Sequence, residues 1–197
     1  SNQNKFLSMN QKLIAHILLF FFCIGCVSIN NSIMAQNAPD KYEAKVDSLM
    51  NLMTLEEKIG QTVMYSGGWD KTGPTIRTDF EKHVKEGNVG AMLNVYTVKG
   101  TREMQKLAVE NTRLGIPLLF GYDVIHGHRT IFSINLGLSS SWDLDLIEQT
   151  SRIAATEASA EGLHWTFAPM VDIARDPRWG RISEGAGEDV YLGSKIA

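Results

Sequence analysis

The sequence predicts an α/β fold built on parallel strands. Four times along the chain, a segment whose apolar residues recur at helical spacing is followed by a short apolar run of strand length. The connections are short and none has the signature of a hairpin, so each helix is expected to cross over between two neighbouring parallel strands. We therefore expect a TIM-like (β/α)8 barrel, of which this chain holds about the first four βα units.

Two observations together favour a barrel over a doubly wound sheet, which periodicity alone does not distinguish. No glycine-rich phosphate-binding turn of the type GxGxxG or GxxxxGKS/T follows a predicted strand. The densest polar segments, 121–129 and 170–181, follow the third and fourth strands, where barrel enzymes carry their sites. The second observation also fits the switch point of a doubly wound sheet, so the preference for a barrel depends on both.

The first unit contains two helices and a strand. Residues 41–53 have apolar side chains at helical spacing. A second helix is expected to begin at Thr54, because Glu57 three residues later completes a capping box that satisfies two backbone amides. The short apolar run 62–65 that follows is expected to form the first strand.

The three later units each pair one helix with one strand. Gly87 and Gly162 can adopt the left-handed conformation that ends a helix, and Asp143 can cap the beginning of one. Asp189 is a candidate cap for a further helix. The expected pairs are helix 78–87 with strand 89–93, helix 101–115 with strand 117–123, and helix 143–162 with strand 165–172.

The N-terminal segment has the pattern of a secretory signal peptide. Lys12 precedes an apolar run of 15 residues, 13–27, and Ala35 provides a small residue for cleavage. The run is shorter than the roughly 20 residues that a membrane-spanning helix needs, so no retained membrane span is expected. We therefore divide the chain into a signal peptide region, 1–35, and a truncated N-terminal part of a barrel domain, 36–197, of a periplasmic or secreted protein.

The two cysteines, Cys23 and Cys26, lie inside this apolar run and would leave with it on cleavage. A redox role for the pair is therefore disfavoured. An alternative interpretation takes Cys26 as the lipidated residue of a lipoprotein, although Cys23 stands where such cleavage boxes usually have leucine. In either case the folded part holds no disulfide.

The composition is that of an ordinary soluble globular domain, with 44% hydrophobic and 21% charged residues and a net charge of −3. Even the arginine-rich segment 172–189 carries five acidic residues against three basic ones. Neither the chain nor this segment offers the cationic surface that nucleic acid requires. The charge pattern favours a small ligand rich in hydroxyls, and we expect no cofactor.

The segment FGYDVIHGHRT, 120–130, holds the first candidate site residue. Asp123 ends the predicted third strand, where a carboxylate can accept hydrogen bonds from two adjacent hydroxyls of a sugar; a helix cap or a turn is an equally open role. His126 and His128 form an HxH pattern, but the further ligands of a metal site are not at recognisable spacing. We expect no metal, a loop-bracing hydrogen bond from His126, and a structural role for His164.

The segment RDPRWGR, 175–181, is the second candidate. An arginine fork can hold paired hydroxyls with directional donors. Three arginines cannot all reach one small ligand, so Arg175 and Arg178 are expected in ion pairs, and Trp179 is expected to pack the loop rather than stack on a sugar. The acids available as ion-pair partners are Asp172, Asp176, Glu184, Glu188 and Asp189.

Glycoside hydrolysis needs two carboxylates at a set separation. From this chain alone, the candidates would be Asp123 and either Asp176 or Glu184.

Four segments resemble the N-terminal domain of family 3 glycoside hydrolases, in particular the periplasmic β-glucosidases of bacteria. They are MTLEEKIGQ, GYDVIHGHRTIF, LGLSSSWDLDLIE and WTFAPMVDIARDPRWGRISEGAGED, and the resemblance covers about residues 40–197. It implies a (β/α)8-like first domain and an α/β sandwich second domain. It also implies a retaining mechanism and release of β-linked glucose or xylose from the non-reducing end.

The resemblance assigns roles to two residues of this chain. Asp123 matches the aspartate that holds the hydroxyls of the terminal sugar, and Arg181 matches the arginine that helps to hold the same sugar. The family's lysine–histidine pair, nucleophilic aspartate and acid/base glutamate are expected beyond Ala197, so neither Asp176 nor Glu184 is expected to be catalytic. The resemblance therefore implies a fragment of an exported retaining β-glucosidase that is inactive alone and whose ligands are small β-glucosides or oligosaccharides.

Two alternatives stay open at this point. One is a non-catalytic sugar-binding module. The other is a β-xylosidase or an N-acetylglucosaminidase of the same family, because the pocket residues that would separate these substrates lie mostly outside this chain.

Overall fold

The computed structural model describes residues 42–67 and 79–197. The predicted signal peptide, with both cysteines, lies outside the described residues. The chain divides into two units, Ser1–Leu52 and Met53–Ala197, and each is described by itself. In the described part of the first unit, helix α1 spans Glu43–Leu52 and buries none of its side chains. No helix within the described ranges is long and apolar enough to cross a membrane.

The second unit is built on a sheet of four parallel strands whose spatial order, β1-β2-β3-β4, is also their order along the chain. The central register pairs Met92 of β2 with Tyr65 on one side and Phe120 on the other. This arrangement is that of neighbouring strands in a (β/α)8 barrel, so the predicted parallel α/β architecture is confirmed. The strands are β1 (Met64–Ser66), β2 (Ala91–Leu93), β3 (Leu119–Tyr122) and β4 (Trp165–Thr166).

Several helix ends of the second unit lie at the residues that the sequence marks for this purpose. Thr54 and Glu57 form the predicted capping box, with hydrogen bonds of 2.9 and 3.2 Å. Asp143 accepts a hydrogen bond from the amide of Leu146, and Gly87 and Gly162 have positive φ angles of 75° and 85°. The helices are α2 (Leu55–Gly60), α3 (Phe80–Lys85), α4 (Val98–Asn111), α5 (Asn135–Ser139), α6 (Leu144–Ala160) and α7 (Val190–Ile196), with a 3-10 turn at Ile182–Glu184.

The fourth strand is shorter than predicted. The apolar run 165–172 predicts one long strand, but pairing ends at Thr166. The Thr166 hydroxyl accepts a hydrogen bond from the amide of Ala168, and Pro169 has no amide hydrogen to offer a neighbouring strand. A side chain and a proline therefore end the ladder that the apolar pattern would continue.

The other differences come from contacts that periodicity does not contain. Helix α4 begins at Val98 rather than at 101, because Thr97 caps it by accepting a hydrogen bond from the amide of Gly100 at 3.2 Å. Asn111, the last residue of this helix, is exposed. Helix α5 was not predicted at all, because its five residues are too few to show a period.

The core lies between the helices and one face of the sheet. Successive residues of a strand point to opposite faces, so Met92 and Phe120 share the face that packs against α4 and α6. Phe120 is 1% exposed, whereas its neighbour Leu119, on the opposite face, is 53% exposed. Trp165 is exposed on that same opposite face, which in a barrel points to the interior.

Candidate functional site

Asp123 lies at the carboxyl edge of the sheet, directly after β3. Its side chain is exposed, and its backbone oxygen accepts a 3.0 Å hydrogen bond from the hydroxyl of Thr166 at the end of β4. The next residue, Val124, has a φ of 46° although it is β-branched and buried. Such a conformation is strained and persists only where the surroundings impose it, so the chain turns sharply where the carboxylate leaves the strand.

The turn after Asp123 is closed on itself. His126 Nδ1 lies 2.9 Å from the backbone oxygen of Phe132, and the amide of Phe132 donates a 2.8 Å hydrogen bond to the backbone oxygen of His126. The predicted bracing role of His126 is confirmed by this pair of contacts. His128, two residues on, is instead buried, and its Nε2 lies 3.0 Å from Glu161. The HxH pattern therefore serves two separate contacts.

Arg181 lies on the loop after β4 and is held by Glu184. Its Nε donates to both carboxylate oxygens of Glu184, at 3.0 and 3.1 Å, and its Nη2 donates to Oε2 at 2.6 Å. Glu184 raises the pKa of Arg181 above its usual value, with smaller contributions from the negative charges of Asp172 and Asp123. Asp123 and Arg181 are thus carried by the segments that follow two neighbouring strands, β3 and β4.

Two contacts to the backbone of Glu184 and Gly185 hold this part of the loop against neighbouring segments. Asn135 Nδ2, at the start of α5, donates a 2.6 Å hydrogen bond to the backbone oxygen of Glu184. The following residue, Gly185, forms a parallel bridge with Met170, just beyond β4. These contacts connect the loop that carries Arg181 to the segment that follows Asp123.

The remaining charges of the loop are used within it. Arg178 donates from its amide and its Nε to Asp176 Oδ1, both at 2.9 Å, and from Nη2 to Oδ2 at 2.6 Å. The predicted ion pairing of Arg178 is thus confirmed, and it lowers the pKa of Asp176. Arg175 is exposed, and no ion pair to it is found in the part of the chain that the structure describes. Trp179 is half-buried.

His164 has the structural role expected of it. Its Nδ1 accepts a 3.1 Å hydrogen bond from the amide of Phe120, while its own amide donates to the backbone oxygen of Phe120 at 2.9 Å. The imidazole also stacks on the phenyl ring, with centroids 5.7 Å apart. Both interactions join β3 to β4 beneath the edge that carries Asp123.

A partly open cavity of about 330 Å³ lies elsewhere, between α6 and the segment 124–139. Small and apolar side chains such as Leu138, Ile147 and Ala154 line it, and neither Asp123 nor Arg181 does. Because the cavity holds neither of the residues matched to sugar binding, it is not the candidate site.

Comparison with known proteins agrees with this fold. The Glycosyl hydrolase family 3 N terminal domain matches residues 54–197. A periplasmic β-glucosidase of Salmonella typhimurium is 49% identical over 156 residues, which are 79% of this chain and 20% of that protein. A periplasmic β-glucosidase/β-xylosidase of Dickeya chrysanthemi is 35% identical over 106 residues, 48% of this chain and 16% of that protein.

The same likeness holds in three dimensions. The crystal structure of a β-glucosidase from Listeria innocua in complex with isofagomine has a TM-score of 0.71 to this chain at 40% identity, and the match covers 78% of this chain and 21% of that one. The domain match and this superposition confirm the predicted TIM-like fold. The chain spans about a fifth of the length of these relatives.

Proposed function

The chain belongs to glycosyl hydrolase family 3, and from this membership we propose that it forms part of the glucose-binding subsite of an exported retaining β-glucosidase. The whole enzyme would hydrolyse terminal, non-reducing β-D-glucosyl residues of small β-glucosides or oligosaccharides. In this proposal Asp123 accepts hydrogen bonds from two neighbouring hydroxyls of the terminal glucose, and Arg181 donates to the same ring.

The observation that carries the proposal is that Asp123 and Arg181 lie on the segments that follow two neighbouring parallel strands, β3 and β4, at the carboxyl edge of the sheet. Glu184 occupies the Nε and Nη2 side of the guanidinium, so the remaining N–H groups on its other edge stay available to a ligand. An acceptor and a directed donor at the same edge of the sheet suit the neighbouring hydroxyls of a sugar ring. The arginine side chain is 61% exposed, which leaves room for a ligand to approach.

The nucleophile and the acid/base, we propose, are supplied by residues of the whole enzyme outside this chain. Two carboxylates of this chain lie close to the site, but their pKa values are moved in the wrong direction for an acid. Arg178 lowers the pKa of Asp176, and Arg181 lowers the pKa of Glu184. A general acid of a glycosidase needs a raised pKa so that it still carries its proton near neutral pH.

The test compares matched substitutions in the whole enzyme that contains this chain. Asp123→Asn removes the charge of the acceptor, and Asp145→Asn makes the same change at an exposed position in the first turn of α6. A hydrogen bond to a charged group contributes about 1.5–3 kcal/mol, so kcat/KM for an aryl β-glucoside should fall about 10- to 150-fold in the first variant. The second variant should match the wild type.

A second pair tests the arginine. Arg181→Lys keeps the charge but loses the planar fork, whereas Arg178→Lys makes the same change in an arginine engaged by Asp176. We expect a loss of kcat/KM in the first variant and little change in the second. Equal kcat/KM values for Asp123→Asn, Arg181→Lys and the two controls would refute the assignment of the subsite.

Export is the second part of the proposal. The named Salmonella relative is a periplasmic protein, and the segment 1–35 has the charge, apolar length and small-residue site of a signal peptide. N-terminal sequencing of the mature protein should begin after Ala35. A mature protein lipidated on Cys26 would show that the chain is exported as a lipoprotein and is not cleaved after Ala35. An unprocessed cytoplasmic product would contradict export.

A β-xylosidase is the second candidate, because the relative from Dickeya chrysanthemi has both activities in its name. Xylose lacks the hydroxymethyl group of glucose, and the residues of this chain proposed to bind sugar hold ring hydroxyls common to both. The ratio of kcat/KM for an aryl β-glucoside and an aryl β-xyloside separates the two candidates. Binding of glucose without hydrolysis of any aryl glycoside by the whole protein would instead indicate a non-catalytic module.

A further inference from the structure

The turn that follows Asp123 is held from outside by two carboxylates at the end of α6, Glu157 in its last turn and Glu161 at its C-cap. They are one helical turn apart, so both side chains lie on the same face of the helix. The turn itself contains the strained Val124, which keeps its φ of 46° only because neighbouring contacts impose it. The closing contacts between His126 and Phe132 hold the turn shut but do not fix where it lies.

Glu157 binds the far end of the turn. Its Oε2 accepts hydrogen bonds from the amides of Arg129 and Thr130, both at 2.8 Å, and its Oε1 accepts from the hydroxyl of Thr130 at 2.6 Å. The hydrogen bond from the Thr130 side chain, followed by those from the backbone, lowers the pKa of Glu157. An ionised carboxylate therefore receives three donors from two consecutive residues.

Glu161 binds the middle of the turn and a second loop as well. It is 9% exposed, and its Oε2 accepts hydrogen bonds from the amide of Thr97, at 3.0 Å, and from His128 Nε2, at 3.0 Å. Its Oε1 accepts from Nε of Arg129 at 2.5 Å. Burial alone would raise the pKa of Glu161, but hydrogen bonds from His128, Arg129 and Thr97 outweigh it and lower the pKa.

His128 passes this restraint back toward Asp123. An ionised carboxylate can only accept, so the Nε2 of His128 carries the proton that they share. The imidazole, 4% exposed, packs edge-on against the ring of Tyr122, with centroids 5.9 Å apart at 85°. Tyr122 immediately precedes Asp123 and packs in turn on Tyr96, from the loop after β2, at 5.1 Å. Glu161 thus fixes both sides of the strand end from which the carboxylate emerges.

We propose that Glu157 and Glu161 are positioning residues for Asp123, which clamp the turn after β3 so that the carboxylate is held in its sugar-binding position. The sugar-binding part of this proposal rests on the proposed function. Neither residue touches the ligand in it, since both act through the turn. Because each receives its hydrogen bonds in the ionised form, glutamine at either position keeps the shape of the side chain but weakens the clamp.

The experiment substitutes each carboxylate in the whole enzyme and uses a control on the same helix. The variants are Glu157→Gln and Glu161→Gln, and the control is Glu148→Gln, which removes an exposed i,i+4 ion pair with Arg152. Two quantities are measured: hydrogen exchange of the backbone amides of 124–130, and KM and kcat for an aryl β-glucoside. Glu161→Asp, which keeps the charge, serves as the conservative variant.

We expect exchange of the turn to accelerate in both clamp variants and not in the control. KM should rise about tenfold with kcat within about twofold, because a displaced Asp123 weakens ground-state and transition-state binding alike. In Glu161→Asp, KM should return a substantial part of the way to the wild-type value. A merely structural role would instead lower the fraction of active enzyme and leave the KM of the remainder unchanged.

Unchanged exchange in both glutamine variants would overturn the clamp. Faster exchange with a wild-type KM would overturn the positioning role, because the turn would then move without moving the sugar. Absence of any β-glucoside hydrolysis or glucose binding by the wild type would contradict the proposed function, and the exchange data would then decide the clamp alone. Should Glu161→Gln fail to fold, Glu157→Gln, at a less buried position, decides by the same two readouts.

Discussion

Gly127→Ala should open the turn after Asp123. Gly127 has a φ of 123°, a region that residues with a Cβ avoid. A Cβ at this position would lie 2.0 Å from the backbone oxygen of Thr130 and 3.1 Å from the Cα of Ile131. Favourable contacts between carbon atoms and their neighbours lie near 3.5–4.0 Å, so the overlap is on the order of 1.5 Å. Both atoms belong to the backbone and cannot rotate away.

The expected destabilisation of the turn has two sources, backbone strain and lost hydrogen bonds. The backbone conformation itself would cost an alanine about 1–3 kcal/mol. Relief of the overlap requires the two hydrogen bonds between His126 and Phe132 to open, each with a net contribution of about 1 kcal/mol. Together these terms destabilise the closed turn by about 3–5 kcal/mol, so the amide of Phe132 should lose protection from hydrogen exchange by at least about 100-fold.

The matched control is Gly137→Ala. This glycine lies in α5, and a Cβ there would meet only the Cβ of Ser133, at an ordinary contact distance of 3.6 Å. Alanine is favoured over glycine inside a helix by about 1 kcal/mol, so the same substitution should leave the turn protected and stabilise the helix. Hydrogen exchange of the purified chain, resolved by residue, measures both. Wild-type protection of Phe132 in the Gly127 variant would refute the reasoning.

Three further predictions concern the hydrophobic core, the loss of stability at acid pH and the activity of the isolated chain. Phe120→Ala should lower the free energy of unfolding by about 3–5 kcal/mol and Leu119→Ala by less than about 1 kcal/mol, because only the first side chain is buried. Urea-unfolding midpoints of the two variants of the 197-residue chain measure the difference. Equal losses would contradict the assignment of the two side chains to opposite faces of the sheet. Folding lowers the pKa of Glu161 from its ordinary 4.5, so the ionised carboxylate stabilises the fold fully above that pH, and this stabilisation is lost as the pH falls through the lower folded value. The decline of Tm with falling pH should therefore be less steep in Glu161→Gln than in the wild type. An identical decline in both would contradict the shift. The 197-residue chain alone should release no nitrophenol from an aryl β-glucoside, and measured turnover by the pure chain would show that it holds both catalytic groups.

How well the sequence predicts this molecule depends on the sequence distance of each contact. The capping box at Thr54 and the cap at Asp143 are correctly predicted because donor and acceptor are three residues apart. The alternation of helix and strand is equally local, and it predicts the parallel sheet. The end of β4 at Thr166 is mispredicted, because a side chain there takes an amide from the ladder, which an apolar pattern cannot show.

The candidate site follows the same rule. Glu184 could be nominated as an ion-pair partner because it is three residues from Arg181. The contacts of Glu161 join residues 32 to 64 positions away, so no spacing in the sequence points to them. Their only signal is a buried glutamate, and burial is a property of the folded chain. The residues proposed to bind a ligand are therefore easier to predict from a single sequence than those proposed to position them.

The two arginine–acid pairs on the loop after β4 differ in how much of the guanidinium the acid occupies. Arg178 and Asp176 neutralise each other across two positions and stay within their own loop. Arg181 is different because Glu184 holds only one edge of its guanidinium, and a fork held on one edge presents the other in a fixed direction. Held by Asn135 through its backbone, Glu184 sets that direction relative to the segment that follows Asp123. In the proposed subsite, an acid that holds a single edge of the guanidinium gives the arginine a fixed direction and leaves its other edge to donate to a ligand.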